Sequence, residues 1–351
     1  EQAERLFAEL ATAATLRRAD ALTGGEPQPL AQAAWAAVAE AGFPLALAAE
    51  AQGGIGLPAP VAFALAGRAA YHALPLPLGE AGVGSALWAA AAGTVPEGVV
   101  TVARGTSDHA ADYALRLIAR ETGLIATSLP PSLVTLAPTP LRFEHQLVLA
   151  LSQSGRSPDV VQTVTAARAG GALTVAVVNA PQSPLADAAE LVAAADAGPE
   201  HAVAATKSYV LTLLQVARLV AAWAGDADLA RALPALPTAL AAGAAADWLP
   251  LVDALDDATS LFVVGRGLAH ATAREAALKL KETCLVHAEA VSAAEIMHGP
   301  KALIDAAQPL LLCAGPDVPA DVHRATAGAL AALTRRLHVL GAVDAGHGRH
   351  L

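Results

Sequence analysis

Two hydroxyl-rich stretches and one short helical stretch carry most of the chemistry this sequence could perform. The first is Arg104-Gly105-Thr106-Ser107, and the second is Ser152-Gln153-Ser154-Gly155-Arg156-Ser157-Pro158-Asp159. Each follows a short apolar run and leads into a stretch of helical periodicity. A helix N-terminus attracts anions through its N–H groups and the positive end of its dipole, and Ser and Thr hydroxyls add donors without adding charge. Such loops therefore suit a phosphate. Ser157 fits an N-cap and Pro158 the first helical position. Capped turns are common at strand–helix junctions, so the pairing of two such loops in one sheet carries the phosphate reading. No G-x-x-x-x-G-K-S/T occurs, and Gly265-Arg266-Gly267 lacks the third glycine of a dinucleotide fingerprint.

The third stretch is Glu275-Ala276-Ala277-Leu278-Lys279-Leu280-Lys281-Glu282. Glu275 and Lys279 are spaced i,i+4, and Lys279 and Glu282 i,i+3, so all three lie near one helical face. That pattern is either a solvated, salt-bridged surface or an acid–base set. His287, Glu289, Glu295 and His298 follow within a few turns. A carboxylate can carry a proton between adjacent carbons, and an imidazole near neutrality can open a sugar ring. The same four residues could suggest a metal, but there is no H-E-x-x-H and the spacing matches no zinc pattern. No metal and no cofactor are expected.

The elements that must position these groups change character along the chain. Residues 1–98 read as helical, with breaks at Gly24-Gly25, Gly42, Gln52–Pro58 and Pro75–Pro77. From Val99 short apolar runs alternate with helical stretches. Val99–Ala103, Gln146–Leu151, Leu173–Val178 and Leu191–Ala194 are expected strands; Ser107–Thr122, Asp159–Ala169 and Val203–Ala224 are expected helices. This alternation predicts an α/β fold with a doubly wound parallel sheet. An Ala- and Pro-rich linker is expected over 226–250. The alternation then restarts with strands Ser260–Gly265 and Leu310–Ala314 and helices Ala271–Glu282 and Val322–Leu337. The expected units are a helical segment 1–98, a first α/β domain 99–225, the linker, and a second α/β domain 251–351 that stops short.

Composition narrows the function classes. The net charge of −10 and the lack of a basic recognition helix argue against nucleic acid as a partner. The apolar stretches Gly82–Val95 and Val210–Trp223 are too short to span a membrane, for which ~20 residues are needed. Cys284 and Cys313 are the only cysteines, too few for a disulfide framework, which fits a reducing cytoplasmic setting. The chain opens on Glu1 and its one methionine is Met297, as expected of a processed product or part of a longer reading frame.

Residues from about Val99 to Ile304 resemble a tandem pair of sugar isomerase (SIS) domains. The motifs occur in the family's order: ARGTSDHAADYA from Ala103, LSQSGRSPD from Leu151, AGPEHAVAATKSY from Ala197, GRG from Gly265, EAALKLKETCLVHAEA from Glu275 and EIMHGP from Glu295. They are similar to the isomerase half of glucosamine-6-phosphate synthase, and closer to glutamine-independent glucosamine-6-phosphate deaminases. A synthase would need an N-terminal cysteine nucleophile to release ammonia from glutamine, and the first cysteine here is Cys284. The resemblance implies sugar-phosphate binding by Thr106, Ser107, Ser152, Gln153, Ser154 and Ser157, with a backbone contact from Val203 and Ala204. It implies that Glu282 shuttles the proton between carbons 1 and 2, with Lys279 beside it. It implies that His298 opens the ring and comes from the neighbouring subunit of a homodimer. The implied reaction converts glucosamine 6-phosphate and water to fructose 6-phosphate and ammonia.

The sequence departs from that family at both ends. Leu337–Leu351 resembles neither the last strands nor the lysine-bearing closing tail, so both are expected to be missing or replaced. Ala33–Glu80 instead resembles the N-terminal helical domain of acyl-CoA dehydrogenases, without the domains that hold flavin. A phosphosugar-binding module without turnover and an acyl-CoA dehydrogenase-related fusion therefore stand beside the enzyme reading. Another phosphosugar remains open as substrate.

Overall fold

The structure, a computed structural model, describes residues 96–136, 139–200, 204–341 and 349–350. The helices expected before residue 96, and with them the acyl-CoA dehydrogenase-like segment, lie outside the described residues, as does Val203.

The described chain builds two five-stranded parallel sheets, as the alternation of apolar runs and helices predicts. In the first, β1 (Gly98–Val102) pairs with β2 (Ile125–Ser128) on one side and β3 (Gln146–Ser152) on the other; β4 (Leu173–Val178) and β5 (Leu191–Ala194) follow, giving the order β2-β1-β3-β4-β5. The connecting helices are α1 (Thr106–Thr122), the single turn α2 (Ser132–Thr135), α3 (Pro158–Ala169), the short α4 (Pro184–Ala188) and α5 (Lys207–Ala224). The inner strands β1, β3 and β4 are largely buried on both faces and read as continuous apolar runs. Along β3, Leu147, Leu149 and Leu151 pack towards α1 and α5, with Ala110, Leu117, Ile118, Val216 and Val220. The alternate residues Val148 and Ala150 pack towards α3 and α4, with Val160, Val164 and Leu185. Period-two alternation thus feeds two helical layers from one strand.

Residues 226–250, read from sequence as a linker, are largely helical. They form α6 (Ala227–Ala232), a 3-10 turn (Leu233–Ala235) and α7 (Leu236–Ala245), with α8 (Leu249–Leu255) beyond. None of these has a buried residue, so composition rather than a packed face marks them.

The second sheet contains β6 (Ser260–Gly265), β7 (His287–Ser292), β8 (Leu310–Cys313), β9 (Leu337–Leu340) and the two-residue β10 (Arg349–His350). Its order, β7-β6-β8-β9-β10, repeats the first sheet's pattern strand for strand. Helix α9 (Ala269–Cys284) lays Ala269, Ala273 and Ala277 against Leu261, Val263 and Leu311; α10 (Ala320–Ala331) lays Ala327 and Leu330 on the opposite face. Here the sequence reading is corrected. The helix expected over Val322–Leu337 ends at Ala331, and Leu337–Leu340 pairs with β8 from Leu310↔Leu337 to Cys313↔Leu340. Leu337, His338 and Val339 are buried, and an apolar run of that length is compatible with either element. The stretch expected to lack the last strands therefore supplies β9 and β10.

Helices α1 and α9 pack against one another and join the two halves. The joint is ionic as well as apolar. Arg274 pairs with Asp108 at 2.8 Å, and Asp112 accepts from His270 at 2.9 Å and from Arg116 at 3.3 Å.

Candidate functional site

The two hydroxyl-rich loops meet at the carboxyl ends of β1 and β3, where open parallel sheets place their ligands. They enclose a cleft of about 190 Å³, lined by Arg104, Thr106, Ser107, Leu151, Ser152, Gln153, Ser154, Ser157 and Val160. All six residues expected to bind a sugar phosphate are in this lining. Local folding holds them there. Ser152 ends β3 and its Oγ accepts the Gly155 N–H at 3.0 Å, which tightens the turn. Gly155 has φ +62°, and a Cβ on it would come 2.1 Å from the Ser183 Oγ, so this turn requires glycine. Ser157 takes the N-cap position and Pro158 opens α3, as expected. Its hydroxyl makes no capping hydrogen bond, however; Asp159 Oδ1 accepts the Val160 N–H at 2.9 Å instead. The Ser157 hydroxyl is thus left to the cleft. Arg104 forms an ion pair with Asp159.

The acid–base cluster sits behind Thr106. Lys279 Nζ lies 2.7 Å from Glu282 Oε2, 3.2 Å from Glu275 Oε1 and 3.1 Å from the Thr106 Oγ1 to which it donates. An ammonium has three N–H donors, and three oxygens surround this one. Thr106 in turn donates to Glu275 Oε1 at 3.2 Å, and His109 Nδ1 lies 2.7 Å from Glu275 Oε2. The Lys279 and Glu275 side chains are 10% and 9% exposed, that of Glu282 29%. A buried charge is tolerated only when paired and hydrogen-bonded, which this network achieves. Beside it, Tyr209 has a buried hydroxyl with no partner among the described residues. Burial first, then the Glu275 and Asp112 carboxylates, push its phenol above the usual range, so it stays neutral. The arrangement leaves Glu282 as the accessible carboxylate, fixed by Lys279, where it can take and return a proton.

Sequence spacing placed Glu275, Lys279 and Glu282 on one face, and they are. It did not reveal His109, Asp112 or His270, whose partners lie more than 150 positions away in the chain. The other expected residues fall elsewhere. His298 ends a 3-10 turn (Glu295–His298), is exposed, and joins none of the hydrogen bonds around Lys279. The Ala204 carbonyl accepts the Thr206 hydroxyl at 3.0 Å and does not line the cleft. His287 and Glu289 point to the exposed face of edge strand β7. Among the described residues no three His, Cys, Asp or Glu side chains gather as a metal site. Among them, too, no single helix is long and apolar enough to cross a membrane.

Comparison with known proteins identifies the family and agrees with the fold. A family model for the SIS domain matches residues 96–222 and 254–333, together more than half of the chain. A glutamine–fructose-6-phosphate aminotransferase (isomerizing) of Symbiobacterium thermophilum is 38% identical over 231 residues, covering 61% of this chain and 37% of that protein. The chain thus spans less than two fifths of the length of the curated relatives it matches. A solved structure from Silicibacter pomeroyi, described as a phosphosugar isomerase, is 38% identical with a TM-score of 0.72, covering 76% of this chain and 82% of that one. Glucosamine-6-phosphate deaminase of Thermotoga maritima shares the fold, with a TM-score of 0.60 at 20% identity, covering 74% of this chain and 81% of that one.

Proposed function

This chain belongs to the SIS domain family, and we propose that it is a phosphosugar aldose–ketose isomerase of the deaminating kind. It converts glucosamine 6-phosphate and water to fructose 6-phosphate and ammonia. The observation that carries the reading is the contact of Lys279 with both Glu282 and Thr106, which joins a proton-moving carboxylate to the hydroxyl-lined cleft. A binding module needs only the loops; Glu282, more exposed than Lys279 and Glu275, has in addition the access that a proton carrier needs.

In this mechanism the loops of Thr106–Ser107 and Ser152–Ser157 hold the 6-phosphate at the positive ends of α1 and α3. His298, supplied by a second copy of the chain, opens the ring; its exposure in one chain supports that assignment. Glu282 removes the proton from carbon 2 and returns it to carbon 1, while one amine proton passes to the oxygen on carbon 1; the aldehyde becomes a hydroxymethyl group and the amine at carbon 2 an imine. Lys279 steadies the carboxylate in its charged state. Water then adds to the imine, and ammonia leaves from the resulting carbinolamine. No cofactor enters the sequence of steps. The active unit in this reading is a homodimer in the cytoplasm, and the free thiols Cys284 and Cys313 support a reducing setting.

The test is ammonia release from glucosamine 6-phosphate, with fructose 6-phosphate assayed alongside. Stoichiometric formation of both is expected. Thermal stabilisation by the sugar phosphate without ammonia would leave a binding module. A yellow, flavin-bearing preparation would favour the acyl-CoA dehydrogenase relationship of the N-terminal segment.

A further inference from the structure

We infer that Arg104 changes partners when a ligand enters, leaving Asp159 for the ligand's phosphate, and that this exchange sets the affinity and phosphate selectivity of the cleft. The inference rests on the phosphosugar reading above. Arg104 is the one charged side chain among the residues lining the cleft. It stands at the mouth, its side chain 57% exposed, and forms an ion pair with Asp159 Oδ2. The nearby Lys279 ammonium is already surrounded by Thr106, Glu275 and Glu282. It cannot serve a phosphate without abandoning the proton-moving cluster. Arg104 therefore supplies the mobile positive charge.

The pair is built to part. The Arg104 end of the pair lies in solvent while Asp159 is only 23% exposed, and a pair whose guanidinium is solvated is screened, so opening it costs little. Asp159 keeps a role without Arg104, because its Oδ1 accepts the Val160 N–H at 2.9 Å and a carboxylate is favoured in the first turn of a helix. A guanidinium gains more from a phosphate dianion, which it can meet with two parallel hydrogen bonds. Asp159, which does not itself line the cleft, works against ligand binding by occupying Arg104. Asp159 is thus a threshold that a phosphorylated sugar crosses and an unphosphorylated one has no means to cross.

Calorimetric titration of the full chain with glucosamine 6-phosphate, inorganic phosphate and unphosphorylated glucosamine tests this. Asp159→Asn keeps the acceptor for Val160 and releases Arg104; it should tighten both phosphate compounds by roughly 3–10-fold. Arg104→Gln should weaken both by roughly 10–100-fold, with Arg104→Lys between, since a lysine supplies charge without the fork. In the Arg104→Gln background, Asp159→Asn should lose most of its effect. Glucosamine should show no response to any variant. If the Asp159 effect is equally large with and without Arg104, or has the opposite sign, the exchange is wrong while the phosphosugar reading stands. If the unsubstituted chain binds neither phosphate compound, that reading falls and the exchange with it.

Discussion

At the carboxyl end of the first sheet, Arg104-Gly105 leads into Thr106 and Ser107 at the head of α1; at the matching place in the second, Arg266-Gly267 leads into Leu268 and Ala269 at the head of α9. Both glycines have positive φ, +55° and +60°. The next loop differs as well. After β3 come Gln153, Ser154 and Ser157 around an open cleft, whereas after β8 come Gly315, Pro316 and Asp317. The Asp317 carboxylate reaches across and accepts the Leu268 N–H at 2.7 Å. One copy of the architecture thus leaves its helix head facing a cleft. The other satisfies the same kind of head with a carboxylate of its own. The comparison teaches that strand order fixes where a ligand can sit, while a handful of loop side chains decides whether the place is vacant.

Several substitutions would break or sharpen this contrast. The largest effect is expected at Glu282. Glu282→Gln should lower turnover of glucosamine 6-phosphate by about 10²–10⁴-fold, the usual worth of a positioned base, and leave its calorimetric binding nearly intact. Full rate in that variant would remove the carboxylate from the mechanism. Next come Gly155, in the loop after β3, and Gly267, in the loop after β6. Gly155→Ala and Gly267→Ala should each cost about 1–3 kcal/mol in urea unfolding, since both positions have positive φ and a Cβ would collide with Ser183 or Asp317. Only Gly155→Ala should also weaken sugar-phosphate binding; equal losses of affinity would erase the distinction between the ends. Asp317→Ala should destabilise by about 1–2 kcal/mol, by orphaning the Leu268 amide, with no change in ligand affinity.

The smallest effect concerns the joint between the halves. Burial raises the Asp112 pKa, but hydrogen bonds from His270 and Arg116 outweigh burial and hold it below 3.8. A carboxylate depressed in the folded state contributes stability that is complete above its unfolded pKa and is lost as pH falls through the folded one. The stability gap between the unsubstituted chain and Asp112→Asn should therefore shrink as pH falls below 3.8. Thermal unfolding at stepped pH would show it, and a gap that widened in acid would refute the sign.

What the sequence made legible follows from burial. β1, β3, β4, β6 and β8 are apolar runs inside a doubly covered sheet, and their composition alone marks them. β2 and β7 are edges. Ile125-Ala126-Thr127-Ser128 is mostly exposed, and His287–Ser292 alternates polar and apolar residues, so neither carries a continuous run. The histidine and glutamate of β7 drew notice as chemistry when their placement is that of a solvated strand face. β9 is hard to read because only Leu337 touches the expected helix and the remaining His338-Val339-Leu340 is too short a run to mark a strand until a pairing partner is known. The loops around the cleft were readable because hydroxyls and Ser-Pro junctions are local signals. The companions of Lys279 were half readable: Glu275 and Glu282 share its helix, whereas Thr106 and His109 arrive through tertiary packing. Cys313, buried on β8 with its thiol pushed up to about 12, shows how little a lone cysteine says before its surroundings are known.

The packing of α1 on α9 places the cleft and Glu282 on opposite sides of a seam. The hydroxyl-lined loops belong to one half of the chain and Glu282 to the other. In the proposed mechanism, neither half holds a complete reaction centre. Selection acting on the rate therefore acts on the seam too, on Asp108, Asp112, His270 and Arg274, none of which lines the cleft. Drift at those positions would register as slowed turnover in a protein whose every ligand-contacting residue is unchanged.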